Sequence, residues 1–458
     1  MNKPNRLYIL GFVKSYNTDD IIYSLATGWV QSAIAVVRVS GNGCIRVFEN
    51  TFKSSKKLSD YSSNTAVFGH ILSDKGTVVD ECIVTVFRDG HGYTGEESFE
   101  ISCHGGLQTI KAVLSRMGEL GFRQAERGEF TLRAFMHSKM DLTRAEAINE
   151  LINSKSSVGM NQALNRLSGT LYKRIDEIKN IILDIMSTVE VQLDYSEDEI
   201  GEDLTFPFDK LDKALKMLDT VSLSYNTGRL YSQGAKVVLA GPANAGKSSL
   251  FNMFLKEERA IVSEIKGTTR DYIEAECNIA GIPIRLYDTA GLRESSDKLE
   301  EEGIKRSYSL LETADLIVYM TDASEPEIDD CIVDDKCCIK VVNKIDIRES
   351  KTEGFIAMSV KTGEGFDRLC KEIERRLTEN LQTGSDDGLV IENMRQRDDL
   401  QRAKSSLSSA REHFNLGLPL DIVTMDIQEA LEALGEITGE VTTDDVMDKI
   451  FSTFCVGK

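Results

Sequence analysis

The clearest pattern in the chain begins after Gly169, where the apolar residues Leu171, Ile175, Ile178, Ile182, Ile185 and Val189 alternate spacings of four and three. That period places them on one face of a long amphipathic helix. Upstream, from about residue 20 to 138, β-branched and alternating runs such as Ala33 to Val39 and Cys82 to Phe87 are separated by glycine-containing turns, with one amphipathic stretch near Gln108 to Leu120. The mixture predicts an α+β domain. Downstream, the acidic stretch Asp194 to Asp203 and Pro207 interrupt the helical period, which returns over Lys210 to Leu223 and leads to Gly228. At Lys236 to Ala240 a short apolar strand ends in a glycine-rich turn, and strand and helix signals then alternate to about Leu377. Such alternation predicts a doubly wound, mostly parallel sheet. Beyond the linker Thr383 to Gly388 helices resume, most clearly at Ile427 to Leu434 and Asp445 to Phe451.

Two helical stretches thus flank one α/β unit, and an insertion between helices of one domain is the economical arrangement. The expected organisation is multidomain, α/β and α. It has an N-terminal extension at 1–19, an α+β domain at 20–138, a helical domain in two parts at 139–228 and 379–458, and the inserted α/β domain at 229–378.

The chain's 458 residues suit about three domains, and 41% hydrophobic with 28% charged content is ordinary soluble usage. No stretch approaches the roughly 18–20 apolar residues that a membrane span needs, so no membrane role is expected. The apolar run Tyr8 to Val13 follows Lys3 and Arg6 but turns polar at Lys14 without a cleavage pattern, which argues against a signal peptide and for a cytoplasmic protein. Nine cysteines without C-x-x-C spacing suit free thiols in a reducing compartment. A net charge of -20 argues against coating nucleic acid by bulk electrostatics. Local basic patches could form at Arg123, Arg127 and Arg133, or at Lys173, Arg174 and Lys179; solvated helix and loop faces are the simpler reading of each.

The glycine-rich turn is specific. Gly241-Pro242-Ala243-Asn244-Ala245-Gly246-Lys247-Ser248 matches G-x-x-x-x-G-K-[ST] between a strand and a helix beginning near Ser249. Glycines let backbone amides face phosphate, the helix N-terminus adds partial positive charge, Lys247 reaches the β and γ phosphates, and Ser248 is a magnesium ligand. Asp288-Thr289-Ala290-Gly291 follows the alternating Ile282 to Tyr287, placing Asp288 at a strand end to hold magnesium through water, with the Gly291 amide near the γ-phosphate. Asn343-Lys344-Ile345-Asp346 follows the strand Ile339 to Val342. The Asp346 carboxylate can accept two hydrogen bonds from guanine, a pair of donors that adenine lacks. Ser359, Val360 and Lys361 complete the base pocket. Gly267-Thr268-Thr269-Arg270-Asp271 occupies the switch position, with Thr269 as second hydroxyl on magnesium. Leu292 stands where many GTPases carry a water-orienting glutamine, so another group must do that work. Candidates are the acids Glu294, Asp297, Glu300, Glu301 and Glu302.

The order of Tyr93-Thr94-Gly95-Glu96-Glu97, Glu100 to Gly106, Gly128 to Phe130, Arg133 to Phe135, Lys139 to Ala147, the GTPase motifs, Ala430 to Asp445 and the terminal Phe454-Cys455-Val456-Gly457-Lys458 closely resembles the MnmE (TrmE) family of tRNA-modification GTPases. The resemblance runs from about Asp20 to Lys458. It implies a homodimer that works on tRNA with an MnmG-like flavoprotein, which carries FAD and NADH, to add an aminomethyl or carboxymethylaminomethyl group at the 5-position of the wobble uridine. It implies that the one-carbon unit comes from a reduced folate, of the 5,10-methylenetetrahydrofolate type, held in the N-terminal domain by Arg38, Glu100, Lys139 and Lys458. Similarity to potassium-activated GTPases implies that Asn244, Ser263, Ile265 and Thr268 hold a potassium ion, that Glu264 and Lys266 lie beside the GTP, and that facing GTPase modules activate each other. It also selects Glu300, nine residues after Gly291, as the water-orienting acid. Two departures stand out: Ala26 to Ser32 replaces a proline- and glycine-rich turn, and Gly-Pro-Ala-Asn replaces the commoner Gly-Arg-Pro-Asn while leaving Asn244 in register. Residues 1–19 have no counterpart in the family. The alternative reading is a ribosome-assembly or regulatory GTPase switch with no part in one-carbon transfer; the folate-like motifs and terminal F-C-V-G-K argue against it.

Overall fold

The computed structural model describes residues 19–194, 206–257, 273–288, 310–323, 338–348, 352–379, 381 and 389–458. They form two compact units, one drawn from 1–152, 166–206 and 409–458, the other from 153–165 and 207–408.

The first unit is built on seven strands: β1 Ile22–Leu25, β2 Ile34–Ser40, β3 Phe52–Lys53, β4 Thr65–Leu72, β5 Val78–Phe87, β6 Ser98–His104 and β7 Arg123–Gln124. Their order is β3-β4-β5-β6-β2-β1-β7, antiparallel except where β7 joins β1. Alternation sends Val37, Val39, Val84, Val86, Phe99 and Ile101 inward. The helix Leu107–Glu119 meets that core with Ile110, Val113 and Met117. Because β2 and β6 are antiparallel neighbours in this register, Arg38 lies directly opposite Glu100.

The helical part of this unit follows its sequence period. The helix Thr170–Asp194 buries Leu171, Ile175, Ile178, Ile182, Ile185 and Val189 completely. It packs along the helix Leu420–Thr438, which turns Val423, Ile427, Ala430, Leu434 and Ile437 inward. The terminal helix Asp444–Ser452 joins Met447, Phe451 and Phe454 to Leu132, Phe135 and Leu142, anchoring the last residues in the N-terminal domain.

The second unit holds β8 Ala235–Ala240, β9 Ile273–Ile279, β10 Ile282–Asp288, β11 Leu316–Asp322, β12 Cys338–Asn343 and β13 Ile356–Ala357 in the order β13-β12-β11-β8-β10-β9. All pairs are parallel except the β9–β10 hairpin. Burial of both faces explains the near-continuous apolar runs of β8, β11 and β12. The strand order reverses about β8, and the carboxyl end of such a strand is where open α/β sheets bind ligands.

The compact units do not coincide with the expected boundaries at 228 and 379. The helices Phe208–Leu223 and Tyr225–Gln233, and the first part of the helix Met394–Asn415, fall in the compact unit of the second sheet, with Tyr225–Gln233 against β10. Ser224 Oγ accepts the Ile391 N–H at 3.1 Å, and a Cβ on Gly228 would stand 2.1 Å from the Ile391 carbonyl oxygen, so only glycine admits this approach. Arg397 lies 4.8 Å over the Tyr225 ring, and Arg229 donates to Asp315 at 2.8 Å. Among the described residues, no helix is long and apolar enough to cross a membrane.

The solvated-face reading of Arg123 and Arg133 is corrected, whereas Lys173 is exposed on its helix as that reading expects. Arg133 is fully buried among carboxylates, and Arg123 is paired with Asp20 and Glu129, because these guanidiniums are spent joining chain segments. Lys179 pairs with Glu440 and Arg174 with Glu177.

Candidate functional site

In the second unit the phosphate loop turns between β8 and the helix Lys247–Glu257, which begins two residues before the expected start near Ser249. Gly241 has φ +130, and a Cβ there would stand 2.0 Å from the Met320 carbonyl oxygen. Asn244 also takes a left-handed backbone, φ 61. Lys247 is nearly buried and donates to the carbonyls of Gly241 and Pro242 at 2.9 and 2.7 Å. Its ammonium therefore lies along the inner rim of the loop.

Ser248 Oγ donates to Asp288 Oδ2 at 2.6 Å, so a hydroxyl from the helix start and a carboxylate from the end of β10 converge. Hard oxygen donors of this kind fit magnesium. The base loops are bound to the phosphate loop through Asn343, whose Nδ2 donates to the Ala245 carbonyl at 2.8 Å and whose Oδ1 accepts from Val360 N at 3.0 Å. A Cβ on Gly246 would lie 2.3 Å from that Nδ2, which is why this position is a glycine. Ser359 Oγ donates to Asp346 Oδ1 at 2.6 Å, fixing the carboxylate that faces the base. Lys344 is held by Asp322 at the end of β11, a strand-end acid that motif reading passed over. Ser249 is exposed on the third position of the phosphate-loop helix, and Lys361 is exposed in the turn after Val360. Ser263, Glu264, Ile265, Lys266, Gly267, Thr268, Thr269, Thr289, Ala290, Gly291, Leu292 and Glu300 lie outside the described residues.

In the first unit a cavity of about 280 Å³ opens beside Arg38, Phe87, Gly92, Tyr93 and Glu100. Arg38 is held from several sides. Its Nε and Nη2 donate to one Glu100 oxygen at 2.9 and 2.8 Å, and its guanidinium covers the Tyr93 ring at 4.7 Å. Its Nη1 reaches the Gly457 carbonyl at 3.5 Å. That last contact brings the C-terminal tail to Arg38, while Val456 bridges to Arg127 and Gly457, at φ +97, sits against the Leu25 carbonyl. Burial, and then the charge of Arg38, hold the Lys458 ammonium below its ordinary pKa. Lys139 Nζ donates to the Gly90 carbonyl at 3.2 Å, and its stem abuts Gly95 in the loop that walls the cavity.

Of the four expected folate contacts, Arg38 and Glu100 line the cavity, and Lys139 touches the loop that follows its Phe87 wall. An acceptor carboxylate beside apolar walls suits a flat heterocycle bearing N–H groups, so the residues present fit a reduced folate. Tyr93 was legible only as part of its motif. The atypical segment Ala26 to Ser32 stays at the edge of β2, where Thr27 Oγ1 accepts the Val36 N–H. Among the described thiols, burial pushes Cys82 up to about 12 and Cys103 up to about 11, whereas Cys455 is exposed.

Comparison with known proteins bears on both units. Residues 21–139 match the model of the GTP-binding protein TrmE N-terminus, and residues 142–455 match that of the MnmE helical domain. The tRNA modification GTPase MnmE of Treponema denticola is 39% identical over 470 residues, covering 97% of this chain and 100% of that protein. The chain belongs to the MnmE family of tRNA modification GTPases. Borrelia recurrentis and Alkaliphilus oremlandii supply further members with 39% and 37% identity, covering 97% and 96% of this chain. Among solved structures, the G domain of the T. maritima FeoB iron transporter is 28% identical and covers 32% of this chain and 99% of its own, with a TM-score of 0.25. Membership makes this chain a GTP-binding GTPase enzyme of tRNA modification.

Proposed function

We propose that this family member, as a cytoplasmic homodimer, acts with an MnmG-like flavoprotein to add an aminomethyl or carboxymethylaminomethyl group to the 5-position of the wobble uridine of certain tRNAs. The cavity that joins Arg38, Glu100 and the C-terminal tail supports this reading, because a GTPase switch alone has no need of a second ligand site. A reduced folate bound there supplies the one-carbon unit, while FAD and NADH act on the partner. Glu100 orients the ring by accepting its N–H groups. Arg38 is fixed by Tyr93 and Glu100, and Lys139 and Lys458 bring positive charge to the mouth.

In the GTPase unit the phosphate-loop amides and Lys247 hold the phosphates, and Ser248 and Thr269 hold magnesium, which neutralises phosphate charge as it develops. Asn244, Ser263, Ile265 and Thr268 hold potassium in the position that an arginine finger would otherwise occupy, and Glu300 orients the attacking water. Asp346, with Ser359 and Lys361 beside it, selects guanine. Deletion of the protein should remove the wobble-uridine modification from tRNA nucleosides measured by mass spectrometry; retention of the normal modification would overturn the reading.

A further inference from the structure

A buried charge cluster stands directly behind the cavity of the first unit. Arg133, with no exposed surface, meets Asp20 at 2.7 Å, Glu129 at 3.0 Å and Glu96 at 3.4 Å. Glu96 carries this charge toward the cavity, because Ser40 Oγ donates to its Oε2 at 2.7 Å. The Ser40 hydrogen being committed to the carboxylate, the 2.7 Å contact between the Ser40 and Thr94 hydroxyls is a bond donated by Thr94. The Thr94 oxygen in turn accepts the Glu96 N–H at 3.3 Å. Donation therefore converges on Glu96, from Thr94 through Ser40 on one side and from Arg133 on the other.

That chain ties the segment Gly92 to Glu96 to the end of β2 and to the helix Glu129–Met136. The segment carries Tyr93, whose ring lies beneath Arg38 and whose hydroxyl contacts Thr131 Oγ1 at 2.8 Å. Where Tyr93 stands is thus set by Glu96 and Arg133, neither of which lines the cavity. Buried ion pairs contribute little net stability against apolar replacements, but breaking one leaves an uncompensated charge that must relax its surroundings.

We infer that Glu96 and Arg133 are positioning residues for the ligand of this cavity, acting through Ser40 and Thr94 to hold Tyr93 beneath Arg38. The inference rests on the reading of the cavity as a reduced-folate site. Its test uses the purified full chain, with tetrahydrofolate binding measured by calorimetry, GTP binding measured beside it, and hydrogen–deuterium exchange followed at residues 92–97. Glu96→Gln is expected to weaken tetrahydrofolate binding about tenfold or more, as loss of a hydrogen bond to a charged group does, and Thr94→Val, which removes a bond between neutral hydroxyls, about threefold or more. GTP affinity stays unchanged, and exchange quickens at 92–97 alone. Thr94→Ser, which keeps the hydroxyl, retains most of the affinity. Should Glu96→Gln not fold, Thr94→Val decides, since it leaves the ion pairs in place. Unchanged tetrahydrofolate affinity and unchanged exchange in both variants would overturn the inference. If the unaltered chain binds no tetrahydrofolate, the folate reading falls by itself. The positioning role then stands on quickened exchange confined to 92–97, and falls if exchange is unchanged or quickened throughout the first unit.

Discussion

The Ser248 hydroxyl donates to the Asp288 carboxylate at 2.6 Å, joining the start of the phosphate-loop helix to the end of β10 without an intervening residue. Two oxygens so placed fit one small hard cation. Ser248→Ala should therefore lower magnesium-dependent GTP binding by about tenfold or more, the loss expected for a charge-assisted contact, while nucleotide binding in a metal chelator changes little. A titration of GTP with and without magnesium decides this, and equal losses in both conditions would remove the hydroxyl from the metal site.

Guanine selection makes a second test. Asp346 is an acceptor-only carboxylate held by Ser359, and it complements the two adjacent donors on guanine. Asp346→Asn replaces one acceptor by a donor and should exchange preference from GTP to xanthosine triphosphate, whose corresponding edge carries an oxygen in place of the amino group. Competition between the two nucleotides reads the switch. Asn343→Ala should act differently: it leaves the Ala245 carbonyl and Val360 N–H without their partner, at a cost of about 1–3 kcal/mol for each buried group. Affinity for both nucleotides then falls together.

Much of this was legible in the sequence because it depends on local rules. The six apolar positions from Leu171 to Val189 predict a buried stripe, and all six are fully buried. The phosphate loop and the acid at the end of β10 are likewise set by spacing along a strand and helix. Arg133 shows where such rules stop. As a cation beside Arg123 and Arg127 it reads as surface charge, and its burial follows from Asp20 and Glu96, which the fold alone brings to it across 113 and 37 residues, beside Glu129 one turn back on its own helix. The grouping of residues before 228 with the second sheet's compact unit has a related cause. Ser224 and Ile391 are 167 residues apart, and no periodicity in either segment announces their contact.

The same cluster sets an acid dependence for the first unit. Burial works to raise the Asp20 pKa, but hydrogen bonds from Arg123 and Arg133 prevail, and the carboxyl is held below its ordinary value. A carboxylate with a lowered folded-state pKa contributes stability that is fully present above the unfolded value near ~3.9. That contribution is lost as pH falls through the folded-state value. Asp20→Asn should lower the urea midpoint at pH 7 and leave it unchanged once both states are protonated. Trp29, the chain's one tryptophan, lies in this unit and provides the fluorescence signal.

Turnover of GTP tests two further assignments, of which Glu300 falls outside the described residues. Leu292 cannot hydrogen-bond, so hydrolysis needs another group to orient water, and Glu300 is the acid assigned to it. Glu300→Ala should slow hydrolysis by about 10²-fold or more, within the range of removing a positioned general base, while GTP affinity stays the same. Asn244 tests the cation: its backbone is already left-handed at φ 61 within the phosphate loop, and its side-chain oxygen is the potassium ligand proposed there. Hydrolysis should be faster in potassium than in sodium, and Asn244→Ala should abolish the difference without abolishing binding, because the phosphate-loop amides and Lys247 remain. Equal rates in the two salts for the unaltered protein would remove the cation from the mechanism. A potassium effect that survives Asn244→Ala would place the ion elsewhere.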